Sequence, residues 1–253
     1  MSYDIALFDM DGTLLNTTQD LAASLNYAMH QLKYKACFTP ADAALFFGSG
    51  SKIAFARALA TLQGASSDEL LALGATLSPQ DLAIDPQEVN RLDEVFSSYY
   101  PAHSNDHTRP YPGIYPMLTA LQAAGVSCAV ISNKMDSEVK RLSLLHFGNT
   151  MAYAAGVCDA IARKPSPEIT LAALHELQAQ TGNANATAVY IGDTEIDLRT
   201  AHNAGLDCIA VDWGFRTHSY LEHCGATHIV SSATELTAAI LDGKEAHKLC
   251  DTK

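Results

Sequence analysis

The sequence predicts an α/β protein: a parallel sheet covered by helices, with a purely helical domain inserted after the first strand. Two observations carry this. Short β-branched runs alternate with stretches of helical period over most of the chain, and alternation of strand, helix and strand implies a parallel sheet. Residues 17–105 break the alternation and read as consecutive helices with no convincing strand among them.

In chain order, residues 4–9 form the first expected strand, an apolar run closed by Asp9. The inserted helices begin near Thr17 or Thr18, where Leu21, Leu25, Ala28 and Leu32 make one apolar stripe. Pro101, the polar run 103–108 and the segment Pro110-Tyr111-Pro112-Gly113 mark the return to the sheet. Ile114, Met117, Leu118 and Leu121 then share a helix face, and Gly125 supplies the stop before a strand over 126–132. A weaker strand is expected at 151–156. The next helix starts at Ser166-Pro167-Glu168, with a capping hydroxyl, proline at the first helical position and an acid in the first turn. Its apolar Ile169, Ala173 and Leu177 repeat every four residues. Strands follow at 188–192 and 207–212, and a shorter one at 227–231. The expected division is a core of residues 1–16 and 106–253 and a helical domain of 17–105.

The bulk numbers exclude several classes. Apolar residues at 48% and charged residues at 17% describe a chain that folds throughout. With 28 acidic and 16 basic side chains the net charge is −12, so neither nucleic acid nor an anionic membrane surface is an expected partner. An anionic substrate must therefore be captured locally. The six cysteines, Cys37, Cys128, Cys158, Cys208, Cys224 and Cys250, form no C-x-x-C pair and read as reduced thiols. The start of the chain lacks a basic region followed by an apolar stretch, and no apolar run approaches the ~20 residues that cross a bilayer. A cytoplasmic protein is expected, either monomer or homodimer.

Chemistry concentrates at the strand ends. In an open parallel sheet ligands bind beyond the carboxyl ends of the strands, near the reversal of strand order. Asp9 and Asp11 stand there, their side chains on one side of an extended segment, with Gly12 permitting a tight turn and close approach of an anion. The second strand ends in Ser132-Asn133, a hydroxyl and an amide. Lys164-Pro165 precedes a helix, and residues 188–192 run into Asp193, with Asp197 four residues on. Like charges 4 Å apart repel by ~4 kcal/mol at an effective dielectric of 20, so such a cluster of acids implies a cation. Oxygen ligands alone suit Mg²⁺, which bridges readily to phosphate. Lys164 adds a fixed positive charge that holds a phosphate oxygen.

Asp9-x-Asp11-Gly12-Thr13, Ser132-Asn133, Lys164-Pro165 and Gly192-Asp193-x-x-x-Asp197 resemble, in order and setting, the four motifs of the haloacid dehalogenase-like hydrolase superfamily. The match spans nearly the whole core. The resemblance implies a Rossmann-like core and phosphoryl transfer through an aspartyl-phosphate, with Asp9 as nucleophile and Asp11 as acid and then base. It further implies Mg²⁺ held by the Asp9 carboxylate, the Asp11 backbone carbonyl and Asp193. Thr13, Ser132, Asn133 and Lys164 are expected to bind substrate. Asp197 either touches the metal through water or orients Lys164.

The inserted helices resemble the superfamily's helical cap. Within it, Gly48-Ser49-Gly50 precedes a helix start and offers free backbone N–H groups to a substrate's leaving portion. A similar loop, followed by an arginine like Arg57, occurs in phosphoglycolate phosphatase-like members, so a small phosphorylated substrate such as 2-phosphoglycolate is expected. Lys52 and Arg57 read equally as substrate contacts or as a solvated helix face. Asp11 argues against a dehalogenase or a phosphonatase, whereas sugar-phosphate phosphatase or mutase, pyrophosphatase and nucleotidase activities use the same machinery. A non-catalytic relative would lack one of these residues, and none is missing. His103 and His107 near Asp106 lack a third ligand at familiar spacing and read as a hinge loop rather than a zinc site. Trp213 and Phe215 read as packing.

Overall fold

The computed structural model describes residues 3–158 and 161–242; Cys250 and the other residues outside these ranges are not described. Along the chain lie β1 (Ile5–Phe8), β2 (Leu15–Asn16), α1 (Thr18–Gln31), α2 (Pro40–Phe46), α3 (Ser51–Leu62), α4 (Ser67–Ala72), α5 (Pro86–His103) and β3 (Arg109–Pro110). Then follow α6 (Ile114–Ala123), β4 (Ser127–Met135), α7 (Asp136–Phe147), β5 (Met151–Val157), α8 (Glu168–Thr181) and β6 (Ala188–Gly192). The described chain ends with α9 (Glu195–Ala204), β7 (Asp207–Val211), α10 (His218–His223), β8 (Ile229–Val230) and α11 (Ala233–Asp242).

The main sheet has the order β5-β4-β1-β6-β7-β8, and every neighbouring pair runs parallel. The chain builds outward from β1 on one side and returns to build on the other, so β1 and β6 flank the point where strand order reverses. Alternation sorts β1 between two cores: Ala6 and Phe8 face α6, α7 and α11, while Ile5 and Leu7 face α8 and α9. Both faces are covered, which is why the strands read as continuous apolar runs.

The described residues of Met1–Leu15 and Pro110–Lys253 form one compact unit, and Asn16–Arg109 a second. The second is helical apart from its ends and an isolated bridge between Leu73 and Leu77. Its return crossing falls later than residue 105 because Asp20, buried at the start of α1, binds the segment back. His107 N, Thr108 N and Thr108 Oγ1 all donate to the Asp20 carboxylate, at 2.8 to 3.0 Å. His107 and Thr108 thus clasp the start of α1.

Three local expectations need correction. Pro101 does not end a helix; α5 runs through it to His103. The Ser166 helix begins at Glu168 with Pro167 as its cap residue, and the Ser166 hydroxyl lies 3.5 Å from Glu168 N. Strand β4 continues past Ser132 to Met135, through a bulge in which Ile131 pairs with Ala155 and Met135 with Val157. Periodicity alone does not see a bulge, because the extra residues leave the apolar run intact.

Candidate active site

Asp9 leaves β1 directly into the turn Met10–Leu15, where Gly12 N donates to Leu15 O and Gly12 adopts φ +89°. A side chain at Gly12 would collide with the Asp193 carboxylate, and one at Gly214 would strike Asp193 and the Gly12 carbonyl. Glycine at both positions lets Asp193, at the end of β6, sit against the β1 turn. Its Oδ1 accepts from Thr13 Oγ1 at 2.8 Å and its Oδ2 from Phe215 N at 2.7 Å. Carboxylate oxygens of Asp9, Asp193 and Asp197 all lie within 4.8 Å of one another, and all three residues are buried.

Lys164 penetrates this acidic cluster. Its Nζ stands 3.0 Å from Asp9 Oδ1 and 2.8 Å from Asp197 Oδ1, with the side chain 2% exposed. Burial would lower its pKa, but Asp197 and Asp9 more than reverse this and hold it well above the ordinary lysine value. Burial pushes Asp9 up to about 7 against the pull of Lys164, with Asp197 and Asp11 adding to the rise. Burial, then Asp197 and Asp9, hold Asp193 well above the ordinary carboxyl value. A cluster that resists ionisation in this way is poised for a cation, which would let the carboxylates ionise together.

Asp197 is engaged on both oxygens. Oδ1 takes Lys164 and, at 3.3 Å, Tyr190 OH; Oδ2 accepts from Thr194 N and Oγ1 in the capping box of α9. Of the two roles the resemblance left open for Asp197, the structure holds the contact with Lys164. Asn133 clasps the same loop: its Oδ1 accepts from Lys164 N at 2.8 Å and its Nδ2 donates to Lys164 O at 3.1 Å. The structure therefore sets the Asn133 amide on backbone and the Thr13 hydroxyl on Asp193, although both residues were expected to face substrate. Ser132 is buried, and its Oγ accepts from Lys134 N at 3.3 Å.

Asp9, Asp11, Thr13, Ser132, Asn133, Lys164, Asp193 and Asp197 are thus gathered in one unit; Gly48, Ser49, Gly50, Lys52 and Arg57 belong to the other. There, Gly48 and Gly50 take φ of 113° and 93°, as the glycine loop requires, and Lys52 is exposed. Arg57 is not on a solvated face. It is fully buried, and its guanidinium donates to Phe46 O and Leu73 O at 2.9 Å and to Leu45 O at 3.2 Å. Ser49 Oγ lies 3.5 Å from its Nη2, so Arg57 sits beneath the glycine loop and ties it to the helices.

Sequence reasoning missed Tyr190 and the contact that Lys134 makes with Asp11. Tyr190 is buried in β6 with its hydroxyl 3.0 Å from Lys164 Nζ; a single phenol in an otherwise aliphatic strand needs a polar partner, and that was the available signal. Lys134 stands in the segment Ser132-Asn133-Lys134 that resembles the phosphoglycolate phosphatase-like branch, but its contact with Asp11 Oδ2, 3.1 Å from its Nζ, depends on the bulge in β4. Trp213 keeps its packing role, with Nε1 donating to Thr13 O at 3.1 Å.

A doubly wound parallel sheet with a lysine-bridged carboxylate cluster at its switch point defines a hydrolase core, and the chain belongs to the haloacid dehalogenase-like hydrolase family, whose model matches residues 6–211. It is a phosphoric monoester hydrolase similar to phosphoglycolate phosphatases. That of Mesorhizobium japonicum is 29% identical over 245 residues, 96% of each chain. That of Agrobacterium fabrum is 30% identical over 214 residues, 83% of this chain and 81% of the relative. Among solved structures, a Lactobacillus delbrueckii subsp. bulgaricus protein with the provisional name phosphoglycolate phosphatase shares 42% identity and a TM-score of 0.89, covering 96% of this chain and 100% of that one. The free thiols of Cys37, Cys128, Cys158, Cys208 and Cys224 agree with their sequence reading. Among the described residues no helix is long and apolar enough to cross a membrane.

Proposed function

We propose that the protein is a Mg²⁺-dependent phosphatase that hydrolyses a small phosphate monoester, 2-phosphoglycolate first among candidates, through an aspartyl-phosphate on Asp9. The observation that carries this reading is the setting of Asp9, buried between the Lys164 ammonium and the Asp193 carboxylate. The names of the relatives support the choice of ester.

The donors fit a small hard cation: they are oxygens only, and those of Asp9, Asp193 and Asp197 lie within 4.8 Å of one another. The Asp9 and Asp193 carboxylates and the Asp11 backbone carbonyl would hold it. When bound, Mg²⁺ neutralises charge between the nucleophile and the phosphate oxygens. Asp9 attacks phosphorus, and Asp11 gives a proton to the departing alkoxide. As a carboxylate, Asp11 then takes a proton from the water that attacks the aspartyl-phosphate, releasing phosphate and restoring Asp9. Lys164 and Ser132 hold the phosphoryl oxygens. Asn133, Asp197 and Tyr190 hold Lys164, and Thr13 holds Asp193. Gly48, Ser49, Gly50 and Lys52 are the residues of the helical unit proposed to bind the leaving portion, with Arg57 supporting their loop.

Asp9→Asn should abolish phosphate release while leaving the thermal transition in place; full turnover by that variant sinks the mechanism. Phosphate release from 2-phosphoglycolate, pyrophosphate, sugar phosphates and nucleotides, each with Mg²⁺ or chelator, tests the substrate and the metal.

A further inference from the structure

We infer that Lys134 is a positioning residue for the general acid: its ammonium holds Oδ2 of Asp11, so that Oδ1 is the oxygen presented to the leaving group. The inference rests on the role proposed above for Asp11 and deepens it. Lys134 Nζ stands 3.1 Å from Asp11 Oδ2, and its side chain is 5% exposed. The other oxygen, Oδ1, is buried with no hydrogen-bond partner. A buried carboxyl oxygen left without a partner is uncommon in a folded protein, and a catalytic role is one reason for it. The two oxygens of Asp11 are therefore unlike: one is ion-paired and one has no hydrogen-bond partner.

The backbone explains how a lysine reaches this point. The bulge between the pairings Ile131 with Ala155 and Met135 with Val157 covers Ser132, Asn133 and Lys134. Bulges re-aim side chains that a regular strand would send elsewhere. Gly156 on the neighbouring strand fixes the bulge, because a side chain there would collide with the Lys134 carbonyl, and Gly156 N donates to Asp136 Oδ1 at 3.1 Å.

In the first chemical step an Asp9 oxygen forms its bond to phosphorus while the bond from phosphorus to the leaving oxygen breaks. The electron pair of the broken bond stays on that oxygen, and the proton of Asp11 Oδ1 passes to it. Asp11 ends the step as a carboxylate whose charge the Lys134 ammonium already faces. A pinned Oδ2 also keeps the carboxyl from turning the wrong oxygen to the substrate, which is where oriented acids gain over free ones.

The test compares two aryl esters of similar shape, phenyl phosphate and p-nitrophenyl phosphate, whose leaving groups differ in their need for a proton. The readout is kcat/KM in Mg²⁺, which covers events up to formation of the aspartyl-phosphate. Lys134→Met should lower kcat/KM for phenyl phosphate by at least about 10-fold and for p-nitrophenyl phosphate by less than about 3-fold, since general-acid help matters only where the leaving group is poor. Equal loss on both esters, or no loss on phenyl phosphate, overturns the inference. If Lys134→Met does not fold, Lys134→Gln carries the same comparison. Asp9→Asn separates the two levels: activity in that variant removes the aspartyl-phosphate reading and this inference with it. An inactive Asp9→Asn beside equal losses in Lys134→Met removes this inference alone.

Discussion

Lys164→Met removes the ammonium that faces both Asp9 and Asp197, and its consequences follow from the distances. Nζ sits 3.0 Å from Asp9 Oδ1 and 2.8 Å from Asp197 Oδ1, with Lys164 2% and Asp197 1% exposed. Removing one partner of a buried ion pair costs about 3–5 kcal/mol, because the remaining charge stays buried. In a chain of this length each kcal/mol moves the midpoint by about 2–4 °C, so Tm should fall by about 6–20 °C. Loss of a preorganised charge at the phosphoryl group should lower kcat by about 10² to 10³. The acids lose their fixed counter-charge, so Mg²⁺ should raise the variant's Tm more than the wild type's. Thermal denaturation in chelator and in Mg²⁺, with phosphate release from 2-phosphoglycolate, measures all three. A variant whose Tm lies within about 2 °C of wild type and whose kcat lies within about 3-fold would refute the reasoning.

The raised carboxyl pKa values predict a pH dependence. In the metal-free protein Asp9 is pushed up from 3.8 to about 7 and Asp193 well above 3.8, burial being the largest cause for each. The folded state then keeps protons that the unfolded chain has lost, so these groups withdraw stability as pH rises from about 4 through about 7. Mg²⁺ must displace those protons, so the gain in Tm on adding Mg²⁺ should be larger at pH 8 than at pH 5; a flat or falling gain contradicts this. In the cap, Arg57→Met leaves the carbonyls of Phe46 and Leu73 without the buried guanidinium that binds them. At about 1.5–3 kcal/mol for each hydrogen bond to a charged group, the loss should reach about 3–6 kcal/mol. It should be visible in thermal denaturation and in faster proteolysis of the loop at Gly48–Gly50, and an unchanged midpoint would show that Arg57 does not support the loop.

Asp9 and Asp193 were legible because a strand buried on both faces reads as an unbroken apolar run whose carboxyl end the next acid marks, while Asp11 and Asp197 followed from their spacing to these acids and Lys164 from its loop before the Ser166 helix. The same runs revealed the parallel sheet, and the loss of period 2 over residues 17–105 revealed the inserted helices. Local pattern reports what faces the core, and at strand ends that is nearly enough to locate a site. It does not report what each polar atom faces. Thr13 meets Asp193 180 residues away, Asn133 meets Lys164 31 residues away, and Lys164 meets Tyr190 26 residues away. Those partners depend on the register of β1, β4 and β6, and on a bulge that leaves no mark in the apolar run. Arg57 makes the same point in the cap, where a charged residue that reads as surface is buried by three carbonyls its helix does not contain. The sequence by itself determined the fold class, the family and the acids that define the site. Only the tertiary structure decided what holds the oxygens of each acid, both of them at Asp193 and Asp197 and one at Asp11, because hydrogen bonds between distant segments are set by packing and not by local periodicity.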